Sequence, residues 1–305
     1  MTQALEPIRR RIESAEDLDA VVRVMKALAA ARIRQCERAV ESLAEYSRTI
    51  EAGLHVALRN RPKNVAIEPP VSRHRSIIAF GSDQGMCGSF NEQVASFLLE
   101  EIGTLGGAPE ARTVLVVGSR LVGRLEDAGC AIESQLVLPS SVSGIASAVH
   151  RALLKVEELR FQKSIDEFLL IHHRPIAPAG SAPSKVQLLP IDRDWLASLA
   201  RKRWPSRSLP TYSMDWRQLF SALIRQHLFV ALYRAFAESM ASENASRLAS
   251  MYTAEKNIEN HLSRLTIDYN QGRQQSITEE LLDIVAGFET LTKDERRTQR
   301  DAEGR

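Results

Sequence analysis

The sequence predicts an α/β protein: a long antiparallel coiled coil of N- and C-terminal helices with an inserted Rossmann-like α/β domain. Three patterns lead to this prediction. Each end of the chain is a long segment with apolar residues every three or four positions, and the middle alternates short apolar runs with helical stretches. The expected parts are residues 1–60, 72–195 and 210–291, followed by a polar tail at 292–305.

The N-terminal segment has no proline between Pro7 and Pro62 and no glycine before Gly53. Its apolar or small residues are spaced by threes and fours, which is close to the heptad pattern of a coiled coil. A helix of about 50 residues would be about 75 Å long, too long for one globular core. The positions of this seam are Val22, Met25, Ala29, Ile33, Cys36, Val40, Leu43, Ser47, Ile50, Leu54 and Ala57.

The middle segment favours a mostly parallel, doubly wound sheet, because its apolar runs alternate with helical stretches. The expected strands are SIIAF (76–80), TVLVVG (113–118), EFLLIHH (167–173) and KVQLLPI (185–191). A linker at 199–216, with two prolines and several basic and aromatic residues, is expected to end this part.

The C-terminal segment has no proline from Trp216 to about Leu291 and carries a second seam. A helix in a protein gains most of its stability from packing against other elements, so the two terminal helices are expected to pair. The C-terminal helix is the longer one and is expected to extend beyond the first. This seam consists of Ile258, Leu262, Leu265, Tyr269, Gly272, Ser276 or Ile277, Leu281, Ile284, Phe288 and Leu291.

The composition limits the functional classes. The 40 basic and 38 acidic residues nearly balance, which gives no reason to expect nucleic acid as a partner. Cys36, Cys87 and Cys130 form no C-x-x-C pair, so a disulfide framework or a cysteine metal site is not expected. No stretch has the length of a signal peptide core or a membrane span, and a cytoplasmic protein that meets a membrane only through partners is predicted.

The stretch GSDQGMCGSFNEQ (81–93) lies between an expected strand and helix, where many proteins bind a phosphate. A Walker loop needs G-x-x-x-x-G-K-[ST], and a dinucleotide fingerprint needs G-x-G-x-x-G. Neither is present, since the glycines stand at 81, 85 and 88 and no lysine follows. A tight strand-to-helix turn or a contact with a protein partner are the other two interpretations.

Three segments resemble the γ subunit family of rotary F-type ATP synthases. They are IRRRIESAEDLDAVVRVMKALAAARIRQCE (8–37), SDQGMCGSFNEQV (82–94) and the long stretch from LFVALYRAFAESMASEN to IVAGFETL (228–291). The last contains YNQGRQQSITEELLDIV, close to the family pattern Y-N-x-x-R-Q-x-x-I-T-x-E-L-x-E-I-V. The resemblance touches both terminal helices and the middle domain.

The resemblance implies a central shaft inside an α3β3 hexamer, in contact with an ε subunit and a membrane c-ring. It implies no catalytic residues, cofactor or metal in this chain, and a place on the cytoplasmic face of the bacterial inner membrane. The implied partner contacts are Met25, Lys26, Arg32, Arg34, Arg273, Gln274, Thr278 and Glu280, together with the loop residues Ser82, Asp83, Gln84, Gly85, Cys87 and Gly88.

The chain also departs from the family pattern. Gln84 stands where the family usually has arginine, Ser89 where a second glycine is common, and Phe90 at an aliphatic position. The stretch AEDLDAVVRVMKAL lacks the usual N-T-x-K-I-T-K segment, and Gly272 replaces an alanine-like residue. These departures suggest a divergent branch, such as the alternative sodium-type ATPase.

Two other functions would each account for part of the sequence. An enzyme would need a convergent group of catalytic residues at the strand ends, and the sequence has no G-x-S-x-G, Walker or metal-binding spacing. A coiled-coil scaffold or adaptor would explain the two long helices but not the C-terminal motif. The rotor shaft explains both features and is the predicted function.

Overall fold

The computed structural model describes residues 5–62, 74–104, 112–176, 180–204, 207–208 and 210–303, with side chains described up to residue 286. The expected domain boundary at residue 72 therefore lies outside the described residues, as do the side chains of Phe288 and Leu291. The chain divides into two compact units. One combines residues 1–25 with 251–305, and the other is Lys26–Ser250.

Two long helices dominate the described residues, as the apolar periodicity predicts. Helix α1 spans Glu6–Arg59, and helix α6 spans Trp216–Glu303. The α6 backbone thus remains helical through residues 292–303, where a polar tail was expected. Both helices contribute residues to each of the two units.

In the first unit, α1 and α6 lie side by side and run antiparallel. Arg23 lies 4.0 Å from Glu255, and a Cβ on Gly272 would lie 2.9 Å from the side chain of Leu5. Moving towards the start of α1 thus corresponds to moving towards the end of α6. Ala15 and Val22, seven residues apart, are buried in this unit.

The second seam is buried in one part and exposed at its end, where the C-terminal helix was expected to extend beyond the first. Leu265 is buried, but Leu281 and Ile284 are 58% and 67% exposed. The reason is length, because α1 begins at Glu6 and the start of the described chain, at Leu5, already lies beside Gly272. The described part of α1 therefore offers no neighbour to the last turns of α6.

The second unit contains the rest of both helices, and they are antiparallel there too. The Trp216 indole donates to the Ala57 carbonyl at 2.7 Å, and the Tyr46 hydroxyl donates to Gln226 at 2.8 Å. One seam position of each α1 heptad is buried in this unit, whereas the alternate positions Ile33, Val40 and Ser47 are half-buried. The buried positions are Ala29, Cys36, Leu43, Ile50 and Ala57.

A five-stranded sheet lies between the two long helices in the sequence, in the order β3-β2-β1-β4-β5. The strands are β1 (Arg75–Phe80), β2 (Arg112–Val117), β3 (Ser134–Leu136), β4 (Glu167–Pro175) and β5 (Ser181–Leu189). The first four are parallel and β5 is antiparallel to β4. The short β3 was not predicted, since three residues with little apolar character give no periodic signal.

In the described parts of the chain, four shorter α-helices and one 3-10 turn (Val142–Gly144) accompany the sheet. The α-helices are α2 (Phe90–Thr104), α3 (Ser119–Asp127), α4 (Ile145–Lys163) and α5 (Arg193–Arg201). The last one overlaps the segment expected to be a linker. Its start is capped by Asp192, whose carboxylate accepts from the backbone N–H of Asp194 at 2.8 Å.

Successive strand residues face opposite sides of the sheet, and each side has its own core. Ile77 and Ala79 of β1 pack with α2 and α3, whereas Ile78 and Phe80 pack with α4 and α6. Phe80 meets Phe236 of α6 edge-on, with ring centroids 4.9 Å apart. The inserted domain is therefore attached to the last helix through a continuous apolar core.

Candidate functional site

The loop between β1 and α2 is held in shape by its own side chains. The backbone N–H of Ser82 donates to the Asn91 side-chain oxygen at 2.9 Å, and the Asn91 amide donates back to the Ser82 hydroxyl at 2.8 Å. That hydroxyl in turn donates to the Gln84 carbonyl at 2.9 Å. Ser82 and Asn91 thus tie the two ends of the loop together.

The same loop also caps α3. The Asp83 carboxylate accepts from the backbone N–H of Ser119 at 2.7 Å, and the N–H of Arg120 donates to the Ser82 carbonyl at 2.9 Å. A phosphate cradle uses unpaired N–H groups at a helix start. At the start of α2, the helix that follows this loop, the N–H of Phe90 donates to the Cys87 carbonyl at 3.2 Å, which favours the turn and partner-contact interpretations.

Helix α6 supplies a second set of contacts to the loop. The Arg247 side chain donates to the carbonyls of Gln84 and Gly85, and the Ser246 hydroxyl donates to the Cys87 carbonyl at 2.6 Å. Gly88, at φ +56°, lies so close that an added Cβ would be 3.1 Å from the Ser250 hydroxyl. The loop is therefore attached to the long helix by polar side chains.

The predicted loop residues differ in exposure. Ser82 and Cys87 are buried, Asp83 and Gly85 are half-buried, and Gln84 and Gly88 are exposed. The residue types alone do not predict which of these side chains are buried, because their exposure depends on how the loop folds onto α6.

The exposed Met86 was missing from the predicted set of loop residues. Met86 is 62% exposed and has a positive φ of 60°, a conformation that non-glycine residues rarely adopt. Its sequence signal was an apolar residue between two glycines, at the tip of a loop that contains few other apolar side chains.

The predicted contact residues near Met25 lie on α1. Met25 and Arg32 are half-buried and Arg34 is exposed, while Lys26 is half-buried and has its own interaction within the chain. The charges of Arg32 and Glu243 both act on the pKa of the nearby Cys36 thiol. Burial raises the pKa of the Cys36 thiol to about 11, Glu243 adds to this rise and Arg32 opposes it.

The predicted contact residues near the end of α6 are all exposed: Arg273, Gln274, Thr278 and Glu280. The Thr278 hydroxyl donates to the Gln274 carbonyl one turn earlier, at 2.9 Å. Arg273 and Glu280 are seven residues apart and therefore lie on the same side of the helix. Exposed apolar residues, including Ile277 and Leu281, alternate with them.

The two adjacent histidines of β4 have different partners. His172 contacts Glu238 of α6 at 2.9 Å, and His173 contacts Gln93 of α2 at 3.1 Å. They lie on opposite faces of the sheet, as strand alternation predicts. The described residues contain no group of three or more potential metal ligands.

The chain matches a known family over nearly its whole length. The family model described as ATP synthase matches residues 4–291. The ATP synthase gamma chain of Syntrophus aciditrophicus is 28% identical over 296 residues, which cover 95% of this chain and 99% of that protein. The ATP synthase gamma chain of Cupriavidus pinatubonensis is 26% identical over 286 residues, covering 92% and 97%.

Solved structures show a similar fold. A rotor chain of the Euglena gracilis mitochondrial ATP synthase aligns with a TM-score of 0.61 and 13% identity, covering 91% of this chain and 100% of that one. A chain from the OSCP/F1/c-ring structure of the same enzyme gives a TM-score of 0.62 and 16% identity, covering 95% of both. At these identities the likeness concerns the fold.

Proposed function

Since the chain belongs to the ATP synthase gamma-chain family, we propose that it is the central rotor shaft of an F-type ATP synthase. In this role it couples transmembrane ion flow to ATP synthesis or hydrolysis in an α3β3 ring. The observation that carries the proposal is the family match over residues 4–291, which includes both long helices and the inserted sheet.

The geometry is suited to transmitting torque. The α1 and α6 helices pack antiparallel in each unit, and the inserted domain shares an apolar core with α6 through Phe80 and Phe236. A torque on the inserted domain is therefore carried into α6 by side chains buried in a common core, because close-packed interiors deform little.

We assign no catalytic residue to this chain, so it would be a non-catalytic subunit of the enzyme complex. The N–H groups at the start of α3 bond to Asp83 and Ser82, and the buried histidines bond to Glu238 and Gln93. These groups stabilise the fold. ATP chemistry would take place in the ring, and no cofactor is assigned to this chain.

The proposed partners are the α3β3 hexamer, an ε subunit and the c-ring. Among the described residues no helix is long and apolar enough to cross a membrane. In this proposal the c-ring makes the contact with the membrane, at the cytoplasmic face of a bacterial inner membrane. The departures at Gln84, Ser89 and Phe90 make the alternative sodium-type branch the proposed subgroup.

The proposed ring contacts are of two kinds. Met25, Lys26, Arg32 and Arg34 would meet ring loops along α1, and Arg273, Gln274, Thr278 and Glu280 would do so near the end of α6. Exposure of the second group supports this assignment. A guanidinium such as Arg273 can bind a carboxylate through two hydrogen bonds. Polar contacts of this type can break and re-form at each rotational step.

The direct test is assembly. The full chain is co-expressed with the α and β subunits from the same genome, purified through a tag on β, and assayed for ATP hydrolysis with and without the chain. We expect stoichiometric co-purification and a changed hydrolysis rate. A chain that stays out of the purified ring would contradict the rotor function and favour a coiled-coil scaffold or adaptor.

A further inference from the structure

A small cavity lies between the second half of α1 and the chain segment at the end of α5. Its volume is about 220 Å³, and all of its lining residues belong to the unit Lys26–Ser250. The basic and aromatic residues of the expected linker thus fold back onto α1. The lining side chains that could recognise a ligand are Arg48, Glu51 and His55 of α1 and Lys202, Arg203 and Trp204 after α5. None of these six side chains belongs to the proposed ring contacts.

Two stacked rings form part of the cavity wall. The ring centroids of His55 and Trp204 are 5.5 Å apart, with 21° between the ring planes. The indole N–H of Trp204 donates to the Ser208 carbonyl at 2.8 Å, and Nδ1 of His55 lies 2.6 Å from the Leu199 carbonyl. Both rings are therefore held in place by hydrogen bonds to the backbone.

The second ring nitrogen of His55 is an unpaired acceptor. A carbonyl can only accept, so Nδ1 carries the hydrogen and Nε2 of the neutral ring is left to accept. His55 is 3% exposed, and Nε2 has no hydrogen-bond partner in the described parts of the chain. Buried polar atoms in proteins are normally paired. A histidine that lines a cavity and keeps an unpaired acceptor is therefore suited to bind a ligand that carries a donor.

The charges around the cavity favour an anion. Arg48, Lys202 and Arg203 are exposed and basic, and Glu51 is the acidic side chain among the described residues that line it. Arg48 also lies 3.6 Å from Glu45, but both side chains are mostly exposed and such pairs are weak. The excess of positive charge raises the local concentration of anions.

Size and hydrogen bonding together select one anion. Cavities that enclose drug-sized ligands measure about 300–1,000 Å³, so this one fits a single small anion better than a nucleotide. Hydrogen phosphate carries two negative charges and one hydroxyl near pH 8. It can donate to Nε2 of His55 while its other oxygens accept from guanidinium and ammonium groups. Sulfate has the same charge and shape but no hydrogen, and a phosphate monoester has mostly lost its own at this pH, since its second pKa is about 6.

We propose that this cavity is a binding site for inorganic phosphate. Lys202 and Arg203 pair with its negative charge, and Nε2 of His55 accepts from its hydroxyl. The site lies outside the proposed rotor contacts, and binding is measured on the isolated full chain, so the site and the rotor function can fail independently.

Calorimetric titration of the full chain at pH 8 compares inorganic phosphate with sulfate. We expect phosphate to bind about tenfold or more tightly, because bound sulfate would leave the buried Nε2 unpaired. Equal affinity for the two anions would mean general electrostatic attraction and would overturn the phosphate site. Absence of phosphate binding at millimolar concentration would overturn it too, and would leave the cavity to water.

The charge contribution is tested by Lys202→Gln combined with Arg203→Gln. The double variant should bind phosphate about tenfold or more weakly, because two cations are removed from the site. Arg217→Gln with Arg225→Gln is the matched control, since it removes the same charge from exposed side chains of α6 that do not line the cavity. Its affinity should stay within about twofold of the parent chain. An equal loss in both double variants would show that net charge alone attracts the anion, which contradicts a specific site.

The role of His55 is tested by His55→Phe, which keeps an aromatic ring against Trp204 and removes both nitrogens. Phosphate affinity should fall to that of sulfate, whereas sulfate affinity should stay within about twofold. A variant that still prefers phosphate would refute the hydrogen bond to Nε2. If loss of the bond to Leu199 unfolds this variant, its melting curve shows it. The variant at Lys202 and Arg203, whose side chains are exposed and add little to stability, then still decides the site.

Discussion

His172 of β4 and Glu238 of α6 are joined by a 2.9 Å hydrogen bond at the junction between the sheet and the last helix. A carboxylate can only accept, so Nε2 of His172 carries the hydrogen. Burial raises the pKa of Glu238, but the bond to His172 and the charges of His172, Arg174 and Arg234 outweigh burial, and the pKa is lowered. The contact thus links the inserted domain to α6.

Glu238→Gln should lower the free energy of unfolding at pH 7 by about 1–2 kcal/mol, because the neutral amide oxygen accepts a weaker hydrogen bond from His172 than the carboxylate does. A carboxyl with a lowered pKa in the folded state stabilises above its unfolded pKa, and this stabilisation is lost as the pH falls through the folded value. The difference from wild type should therefore shrink below pH 4.5, the ordinary value. Urea unfolding at pH 7 and pH 3.5 measures this, and an equal difference at both would contradict it.

His173 should make stability depend on pH in a different window. Burial, aided by the charge of His172, lowers the pKa of His173 from 6.5 to about 4. Between these values the unfolded chain binds the proton and the folded chain does not, so acidification should cost up to about 3 kcal/mol. His173→Phe should reduce this slope in urea unfolding and leave the part that comes from His227, whose pKa burial also lowers. The exposed His150→Phe should leave the whole slope. An unchanged slope in His173→Phe would show that another group is responsible.

Gly118→Ala should destabilise the protein by about 2 kcal/mol or more. Gly118 has φ +95°, and an added Cβ would lie 2.9 Å from backbone atoms of Gly81 and Ser82, which cannot rotate away. Gly123 is the control, since nothing lies within 4 Å of its Cβ position in α3. Gly123→Ala should be neutral or stabilising by up to about 1 kcal/mol. Chemical denaturation of both variants decides, and equal effects would refute the steric account.

Arg273→Ala combined with Glu280→Ala should lower coupled turnover of the assembled complex severalfold and leave the melting temperature of the isolated chain within about 1 °C, because exposed side chains contribute little to stability. Gln275→Ala with Glu279→Ala is the control on the other side of the same turns, where the two side chains pair at 3.4 Å. A melting shift of several degrees in the first variant would make Arg273 and Glu280 structural residues.

Much of the fold follows from periodicity along the chain. The α1 positions from Val22 to Ile50 repeat every seven residues, and a helix with such a stripe must bury it against another helix. The strands of the central sheet were likewise visible as apolar runs. The short β3 and helix α5 were not, because Ser134–Leu136 has no periodic signal and Arg193–Arg201 lies beside a proline-containing linker.

The functional interpretation of the loop depended on both the amino-acid sequence and the tertiary structure. Its sequence excluded the known phosphate-binding motifs, because glycine spacing and a missing lysine are properties of the chain itself. The sequence also pointed to the two long helices and to the motifs that resemble the γ family.

Only the tertiary structure decided which loop residues are accessible. Arg247 lies 163 positions from Gln84, and no local pattern reveals that its guanidinium binds the carbonyls of the loop. In the folded loop Cys87 is buried, whereas Met86, with a positive φ, is 62% exposed. The physical reason is that apolar periodicity shows which side of a helix or strand packs against its neighbour. The exposure of a loop side chain depends instead on hydrogen bonds between segments that lie far apart in the sequence.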